Sequence, residues 1–193
     1  EKRPHRVEYF HQVDDAYSHL AVQLLQPILE TYDVELVTHL VSGPTDKNAP
    51  EPELLLDYAR YDCGLVAPRY GLQFSQTTKK PDKHAVNLAL RMLAAATESE
   101  FPQLAVTVGN ALWQGDDEAL IALGDRLGAV SAEEASEKLS AGSALREKLG
   151  HYSGAMFYYG GEWYWGVDRL YHLERRLAEL GVDREPGTPM LVP

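Results

Sequence analysis

The stretch VDDAYSHL, residues 13–20, places two acids where an alternating apolar segment gives way to a helical repeat. A turn from a strand into a helix exposes free backbone N–H groups and the positive end of the helix dipole, a setting suited to anions and thiolates. Two interpretations of Asp14 and Asp15 follow. Either one of them caps the helix while its neighbour lies in solvent, or the two acids stand where another residue type once performed the chemistry.

The other candidates for chemistry are one cysteine and seven histidines. Cys63 has no second cysteine with which to form an internal disulfide, which suits a reducing compartment. The histidines show no H-x-x-x-H or H-E-x-x-H spacing, so the sequence predicts no metal site. His11 and His19 flank the turn, and we expect hydrogen-bonded, structural roles for them.

The elements around the turn are predicted to place it in a parallel sheet. Residues 6–13 alternate polar and apolar side chains, as a strand does. Apolar residues from Tyr17 to Leu29 recur at three and four positions, which predicts an amphipathic helix ending at Tyr32. Residues 34–41 are predicted to form a second strand. A strand, a helix and a strand with short joints make a βαβ unit whose strands are parallel.

A long helical block is predicted next. Residues 53–149 show helical spacing, and Ser131 followed three residues later by Glu134 is a capping box that predicts a helix start. Breaks within the block are predicted at Gly71, 77–82, 97–99, Gly115, Gly128 and Gly142.

The period changes after the block. Residues 155–159 and 162–165 are predicted strands joined by a two-residue turn at Gly160 and Gly161, and 167–180 is a predicted final helix. The order is that of an α/β, thioredoxin-like fold, βαβ then ββα, with a large all-helical insertion. The predicted divisions are 1–52 for the βαβ half, 53–150 for the insertion, 151–181 for the ββα half and 182–193 for a C-terminal tail, which we expect to be an extended arm or a linker.

Composition excludes some classes of function. The formal net charge is -11 and the basic residues are scattered among acids, so we predict no nucleic-acid partner. No apolar run is long enough to span a bilayer, and the opening EKRPHR is polar and basic. We therefore expect a cytoplasmic protein without membrane contact.

Three stretches resemble the DsbA-like thioredoxin superfamily: YDCGLVAPRYGLQF from Tyr61, RMLAAA from Arg91 and GGEWYWGVDRLYHLERRL from Gly161. The chain is most similar to the branch of 2-hydroxychromene-2-carboxylate isomerases and kappa-class glutathione transferases, from Val7 to about Leu180. The most specific part is the hairpin followed by W-G-x-D-R-L at residues 165–170. The resemblance implies glutathione as cofactor and a small aromatic or hydrophobic substrate.

The resemblance also implies which residues line the site. Asp15 stands where the family has its catalytic Ser or Cys, and Tyr17 and Ser18 match the family turn, so Asp15 and Ser18 are the candidate catalytic residues. Ala155 replaces the family's cis-proline, and we expect the bond before it to be trans because a cis bond before a non-proline residue costs about 2.5–4 kcal/mol. Gly154 has two interpretations, a space for a ligand or a flexible loop.

The candidate cofactor-binding residues are Tyr17, Gly154, Asp168 and Arg169. In kappa-type transferases the pair before the last helix's Arg-Leu binds the γ-glutamyl end of glutathione, and here that pair is Val167 and Asp168. The alternative for Asp168 and Arg169 is a helix start with a surface ion pair.

Two hypotheses of function stay open. The turn has no cysteine, so thiol-disulfide exchange is chemically unavailable there. We also expect Asp15 to disfavour a bound thiolate and, because it lies at a helix dipole, to have a low pKa and be a weak base. The chain is then a glutathione-dependent isomerase or transferase, or a non-catalytic thioredoxin-fold protein kept for binding or dimerisation. Aromatic rings of the hairpin that leave the core favour a homodimer.

Overall fold

A computed structural model describes residues 4–45, 47–75 and 80–193. The chain opens with strand β1 (His5–His11), helices α1 (Ala16–Val22) and α2 (Leu25–Thr31), and strand β2 (Val34–Leu40). Strands β1 and β2 pair in parallel over their whole length. The predicted βαβ unit is therefore confirmed, with the turn of interest at the carboxyl end of β1.

The helix predicted from Tyr17 to Leu29 is wrong in one respect, because the structure has two helices there. Pro27 has no N–H to donate to the carbonyl of Gln23 four residues earlier, so the α-helical ladder is interrupted. The N–H groups of Gln23 and Leu24 bond instead to carbonyls three residues earlier, at 3.2 and 3.0 Å. The turn is thus followed by a separate helix of seven residues, α1.

The helical block contains α3 (Pro52–Val66), α4 (Lys83–Ala95), α5 (Phe101–Gln114), α6 (Asp117–Leu127) and α7 (Ala132–Lys148). The predicted breaks at Gly71, 97–99, Gly115 and Gly128 are confirmed. The predicted break at 77–82 lies partly outside the described residues. Ser131 begins α7 as predicted, since its Oγ accepts from the N–H of Glu134 at 3.1 Å. In the described ranges no helix has both the length and the apolar character needed to cross a bilayer.

The break predicted at Gly142 is wrong, because α7 runs through it without interruption. A Cβ at this position would lie 2.2 Å from the carbonyl oxygen of Leu40 in β2. The glycine therefore serves close packing of a helix on a strand, a role that does not require a helix end.

The second half completes one sheet with the strand order β2-β1-β3-β4. Strands β3 (Met156–Tyr159) and β4 (Glu162–Trp165) are antiparallel. Gly160 and Gly161 between them have φ of 61° and 90°, as the predicted two-residue turn requires. The final helix α8 (Leu170–Glu179) follows a 3₁₀ turn at Val167–Arg169, so the predicted helix is confirmed with a tighter first turn.

The two faces of the sheet pack against different helices. Tyr9 and Phe157 lie in the large core with apolar side chains of α1, α2 and α8. Phe10 and Met156 form a smaller cluster with side chains of α7 and with Trp163. Among the rings at and before the hairpin, those of Tyr152 and Trp165 are the most exposed, at 41% and 49%.

The C-terminal segment 182–193, which we expected to be an extended arm or a linker, packs against α8. The N–H groups of Leu191 and Val192 donate to the carboxylate of Glu174 in α8 at 2.7 and 3.2 Å, and the hydroxyl of Tyr32 donates to it at 3.0 Å. Val192 and Glu174 are each 1% exposed. A buried carboxylate with these donors holds the tail against α8.

Candidate functional site at the turn between β1 and α1

Asp15 is the N-cap of α1. Its Oδ1 accepts from the N–H of Tyr17 at 3.3 Å and its Oδ2 from the N–H of Ser18 at 2.9 Å. Asp14 is exposed, and its Oδ1 accepts from the side chain of Gln12 at 3.0 Å. The interpretation in which one acid caps the helix and the other lies in solvent is confirmed.

The expectation of a low pKa for Asp15 is wrong. Burial raises the pKa of its carboxyl from 3.8 to about 6, and this outweighs the hydrogen bonds from Ser18 and Tyr17, which lower it. The nearby charge of Asp14 raises it further. We expected the helix dipole to dominate, but the capping carboxyl lies under a loop from the far end of the chain, and loss of water is the larger effect.

Ser18 holds the turn together. Its Oγ donates to Oδ2 of Asp15 at 2.7 Å and accepts from the N–H groups of Gln12 at 3.2 Å and Ala155 at 2.8 Å. The residue has 0% exposure. The hydroxyl thus joins the end of β1, the start of α1 and the loop before β3, and this arrangement suits a positioning role better than the catalytic role predicted for it.

Ala155, at the position of the family's cis-proline, follows a trans peptide bond as predicted, since the described residues contain no cis bond. It also has a φ of 53°, in the left-handed region that alanine rarely adopts. This conformation aims its N–H at the Oγ of Ser18. The backbone N–H of Ala155 is therefore bonded within the protein.

Gly154 does not leave the space for a ligand that one interpretation gave it. The residue is buried, and a Cβ there would lie 2.7 Å from Cβ of Gln12, 2.9 Å from Oγ of Ser18 and 3.2 Å from Oδ2 of Asp15. The glycine lets the loop before β3 pack directly on the turn. This close approach contributes to the burial of Asp15, which keeps intermediate exposure.

Tyr17 connects α1 to the helical block. Its hydroxyl donates to Oδ2 of Asp62 in α3 at 2.7 Å. Burial, then this bond and the charge of Asp62, raise the pKa of Tyr17 well above its usual range. The phenol is therefore a neutral donor at any physiological pH.

Asp168 and Arg169 form the surface ion pair of our alternative interpretation. Their side chains are 61% and 59% exposed and lie 3.6 Å apart. Arg169 lines an open groove of about 610 Å³ between β4 and α8, which neither Asp14 nor Asp15 lines. Cofactor contact by these two residues stays a prediction.

His11 and His19 are buried, at 4% and 2% exposure, as their predicted structural role requires. The hydroxyl of Tyr9 lies 3.1 Å from Nδ1 of His11. Burial lowers the pKa of His11 to about 3 and that of His19 to about 4. Both imidazoles are therefore neutral at physiological pH, and the described ranges contain no cluster of metal-ligating side chains.

A cleft of about 280 Å³ lies beside the turn, between it, α3 and α4. Its polar lining consists of Asp14, Lys80, Lys83 and Asn87, and its apolar lining of Leu56, Pro81, Val86 and Leu90. We did not predict the two lysines. The sequence does indicate a positively charged site here, because the run KKPDKH concentrates positive charge in a chain of net charge -11.

The sequence matches no family model and no curated protein. Solved structures do match. A 2-hydroxychromene-2-carboxylate isomerase is 20% identical with a TM-score of 0.68, covering 91% of this chain and 96% of that one. The probable DsbA oxidoreductase SCO1869 from Streptomyces coelicolor is 17% identical with a TM-score of 0.63, covering 96% and 94%. The cytosolic disulfide reductase DsbM from Pseudomonas aeruginosa, solved with GSH, is 17% identical with a TM-score of 0.53, covering 89% and 98%. The chain therefore has the predicted fold, that of the DsbA-like thioredoxin superfamily with a helical block between its two halves.

Proposed function

We propose that the cleft beside the turn binds glutathione and that the protein is a glutathione-dependent isomerase or transferase acting on a small aromatic or hydrophobic substrate. The observation that carries the proposal is the charge of the cleft, which Lys80, Lys83 and Asp14 line. Glutathione has two carboxylates and one ammonium group. Two lysines and one exposed carboxylate complement these charges, and the apolar lining suits an apolar substrate.

Asp15 is the group we propose for proton transfer. With a pKa of about 6 it is ionised at neutral pH, yet it remains basic enough to accept a proton. Its Oδ2 receives two hydrogen bonds from Ser18, whereas Oδ1 receives one long bond from Tyr17. Asp15 does not itself line the cleft, but its neighbour Asp14 does, and a lone pair of Oδ1 of Asp15 is the proposed acceptor.

The turn itself does not favour a thiolate. Bound glutathione would supply a thiol, but the N–H groups of Tyr17 and Ser18, which could stabilise its thiolate, already bond to Asp15. Cys63 offers no substitute, because it is buried and burial raises the pKa of its thiol. The proposal therefore rests on acid-base chemistry by Asp15 and excludes a role for this turn in dithiol exchange.

A second candidate is a non-catalytic binding protein. It is favoured by the same closed network, in which Asp15, Ser18 and Ala155 are joined by hydrogen bonds.

A cytoplasmic location belongs to both proposals. The single cysteine suits a reducing compartment, and the structural neighbour DsbM is described as cytosolic.

The test is a calorimetric titration with reduced glutathione. We expect saturable binding that weakens about tenfold in Lys83→Ala, because one charge-assisted contact is worth on the order of 1.4 kcal/mol. Lys148→Ala, an exposed lysine in the last turn of α7, is the matched control and leaves the affinity unchanged. Asp168→Ala tests the predicted γ-glutamyl contact in the same experiment.

The outcomes separate the candidates. Absence of heat at millimolar glutathione, or equal loss in the two lysine variants, refutes binding in this cleft. If glutathione binds, isomerase and transferase substrates are assayed with the parent protein and Asp15→Asn. Activity that Asp15→Asn retains refutes the proposed acid-base role, and binding without any turnover favours the non-catalytic candidate.

A further inference from the structure

Strand β4 is one edge of the sheet, and its outer side is unpaired. Among the described residues it pairs with β3 alone. Glu162 directly follows the two-residue turn, so its backbone groups face β3, and the N–H of Gly166 continues this alternation by donating to the carbonyl of Ala155 at 2.9 Å. The N–H and C=O groups of Trp163 and Trp165 therefore point away from β3. We call this outward row of backbone groups the β4 edge, and a further strand can bond to it.

The side chains of β4 alternate between the two faces of the sheet. Glu162 and Tyr164 lie on the face that α8 covers, and they line the groove of about 610 Å³ between β4 and α8. Trp163 and Trp165 lie on the other face, where the ring of Trp163 packs 5.1 Å from that of Phe10. A strand added to the β4 edge therefore presents its side chains alternately to these two environments.

The groove on the α8 side of the edge is lined by three arginines, Arg169, Arg175 and Arg176, and by two glutamates. Both glutamates already have partners, because Glu162 accepts a hydroxyl bond from within β4 at 2.8 Å and Glu179 lies 3.6 Å from Arg175. Arg176 is in none of the ion pairs formed by the described residues. In a chain of net charge -11, this cluster of arginines favours a negatively charged partner.

The other side of the edge is aromatic. The exposed rings of Tyr152 and Trp165 lie on either contact of His151, which is stacked on Tyr152 at 5.1 Å and lies 6.0 Å from Trp165. The ring of His151 also lies 5.0 Å from that of Trp163, which joins this surface to the smaller core cluster. A row of rings of this kind suits apolar or aromatic side chains.

We propose that the β4 edge binds an extended segment of a partner protein in which acidic residues alternate with apolar or aromatic ones. The segment adds a strand to the sheet. Its backbone bonds to Trp163 and Trp165, its acidic side chains meet the arginines of the groove, and its other side chains lie on the rings of Tyr152 and Trp165. An anionic lipid or a nucleic acid has no peptide backbone to pair with the edge.

This site is independent of the proposed glutathione cleft. The two share no lining residue. Failure of one proposal therefore leaves the other standing.

The experiment is fluorescence anisotropy of a labelled peptide of about nine residues, which alternates glutamate with valine and tyrosine, titrated with the full chain. We expect saturable binding, and none for a peptide of the same composition whose acidic and apolar residues form two separate blocks. Arg176→Glu should weaken the affinity at least about tenfold. Arg126→Glu is the matched control and leaves the affinity unchanged, because Arg126 is exposed near the end of α6, outside the groove.

Two variants at one position separate the backbone contact from the ring contact. Trp165→Ala removes the ring, whereas Trp165→Pro also removes the N–H of the β4 edge. Proline is tolerated in an edge strand where the N–H faces solvent. We expect Trp165→Pro to bind at least about fivefold more weakly than Trp165→Ala. Circular dichroism and urea midpoints verify that each variant is folded.

A second measurement uses the parent protein alone. N-methylation of the peptide at alternate backbone positions should abolish binding for one of the two sets and leave it for the other, because only every second N–H faces the β4 edge.

Four results would overturn the proposal. They are equal binding of the alternating and block peptides, equal affinities of Arg176→Glu and Arg126→Glu, the same effect from both methylated sets, and self-association of the parent protein that Trp165→Pro abolishes. The last would assign the β4 edge to a second copy of this chain.

Discussion

The raised pKa of Asp15 predicts that this one carboxyl makes the protein less stable as the pH rises from about 4 to 7. In the folded state its pKa is about 6, against an ordinary 3.8. Between these values the folded protein binds more protons at this site than the unfolded chain does, so the free energy of unfolding falls with rising pH. The contribution is fully present below the unfolded pKa and is lost as the pH passes the folded one.

The magnitude follows from the difference of about two pKa units, which at 1.36 kcal/mol per unit is about 3 kcal/mol. Asp15→Asn removes the titration and keeps the shape of the side chain. We therefore expect the free energy of unfolding of the parent protein, relative to that of Asp15→Asn, to fall by about 2 to 3 kcal/mol between pH 4 and pH 7. Urea denaturation followed by circular dichroism at each pH measures this difference.

Asp82 provides a matched control with the opposite sign. It caps α4 by accepting from the N–H groups of His84 and Ala85, but it is exposed, and the bond from Ala85 lowers its pKa. Its contribution is therefore present above its unfolded pKa and is lost as the pH falls. A flat difference between parent protein and Asp15→Asn, or one with the same sign as for Asp82→Asn, refutes the argument that burial controls Asp15.

Three further substitutions test the packing around the sheet. Gly142→Ala should cost at least about 2 kcal/mol of stability, because the added methyl meets the carbonyl of Leu40; a gain, as helix propensity alone predicts, contradicts this contact. Ala155→Gly should raise the free energy of unfolding by up to about 1 kcal/mol, and with it the urea midpoint, because glycine tolerates a positive φ. A loss of stability larger than this would argue against a left-handed backbone at this position. Glu174→Gln should cost about 1 to 3 kcal/mol and speed hydrogen exchange at Leu191, since an amide cannot accept from all its donors; unchanged exchange would show that the tail is held elsewhere.

The sequence alone determined the local features of this protein. The period of the apolar residues predicted both strands of the βαβ unit, and two adjacent glycines predicted the hairpin turn between β3 and β4. Ser131 caps α7 as its type and spacing indicated, and one of the two acids of the turn, Asp15, caps α1. Absence of a cysteine from the turn excluded dithiol chemistry there without any structure. Each of these features depends on residues a few positions apart, which is why a pattern in the chain is sufficient.

Only the tertiary structure decided how the turn behaves chemically. Burial raises the pKa of Asp15 to about 6, and the loop at Gly154, far along the chain, packs against its carboxyl. Gly142 continues a helix because Leu40 lies against it. The lysines meet Asp14 in one cleft only when α4 packs beside the turn.

Helix α3 is a second case in which the sequence alone does not decide which residues are buried. Its sequence has apolar residues on more than one face, and the spacing of Leu54, Tyr58, Tyr61 and Leu65 does not by itself tell a buried face from an exposed one. The fold decided that Ala59 and Cys63 turn inward. Whether a face of a helix is buried depends on which distant segments pack against it. The spacing of apolar residues within that helix does not show which segments these are.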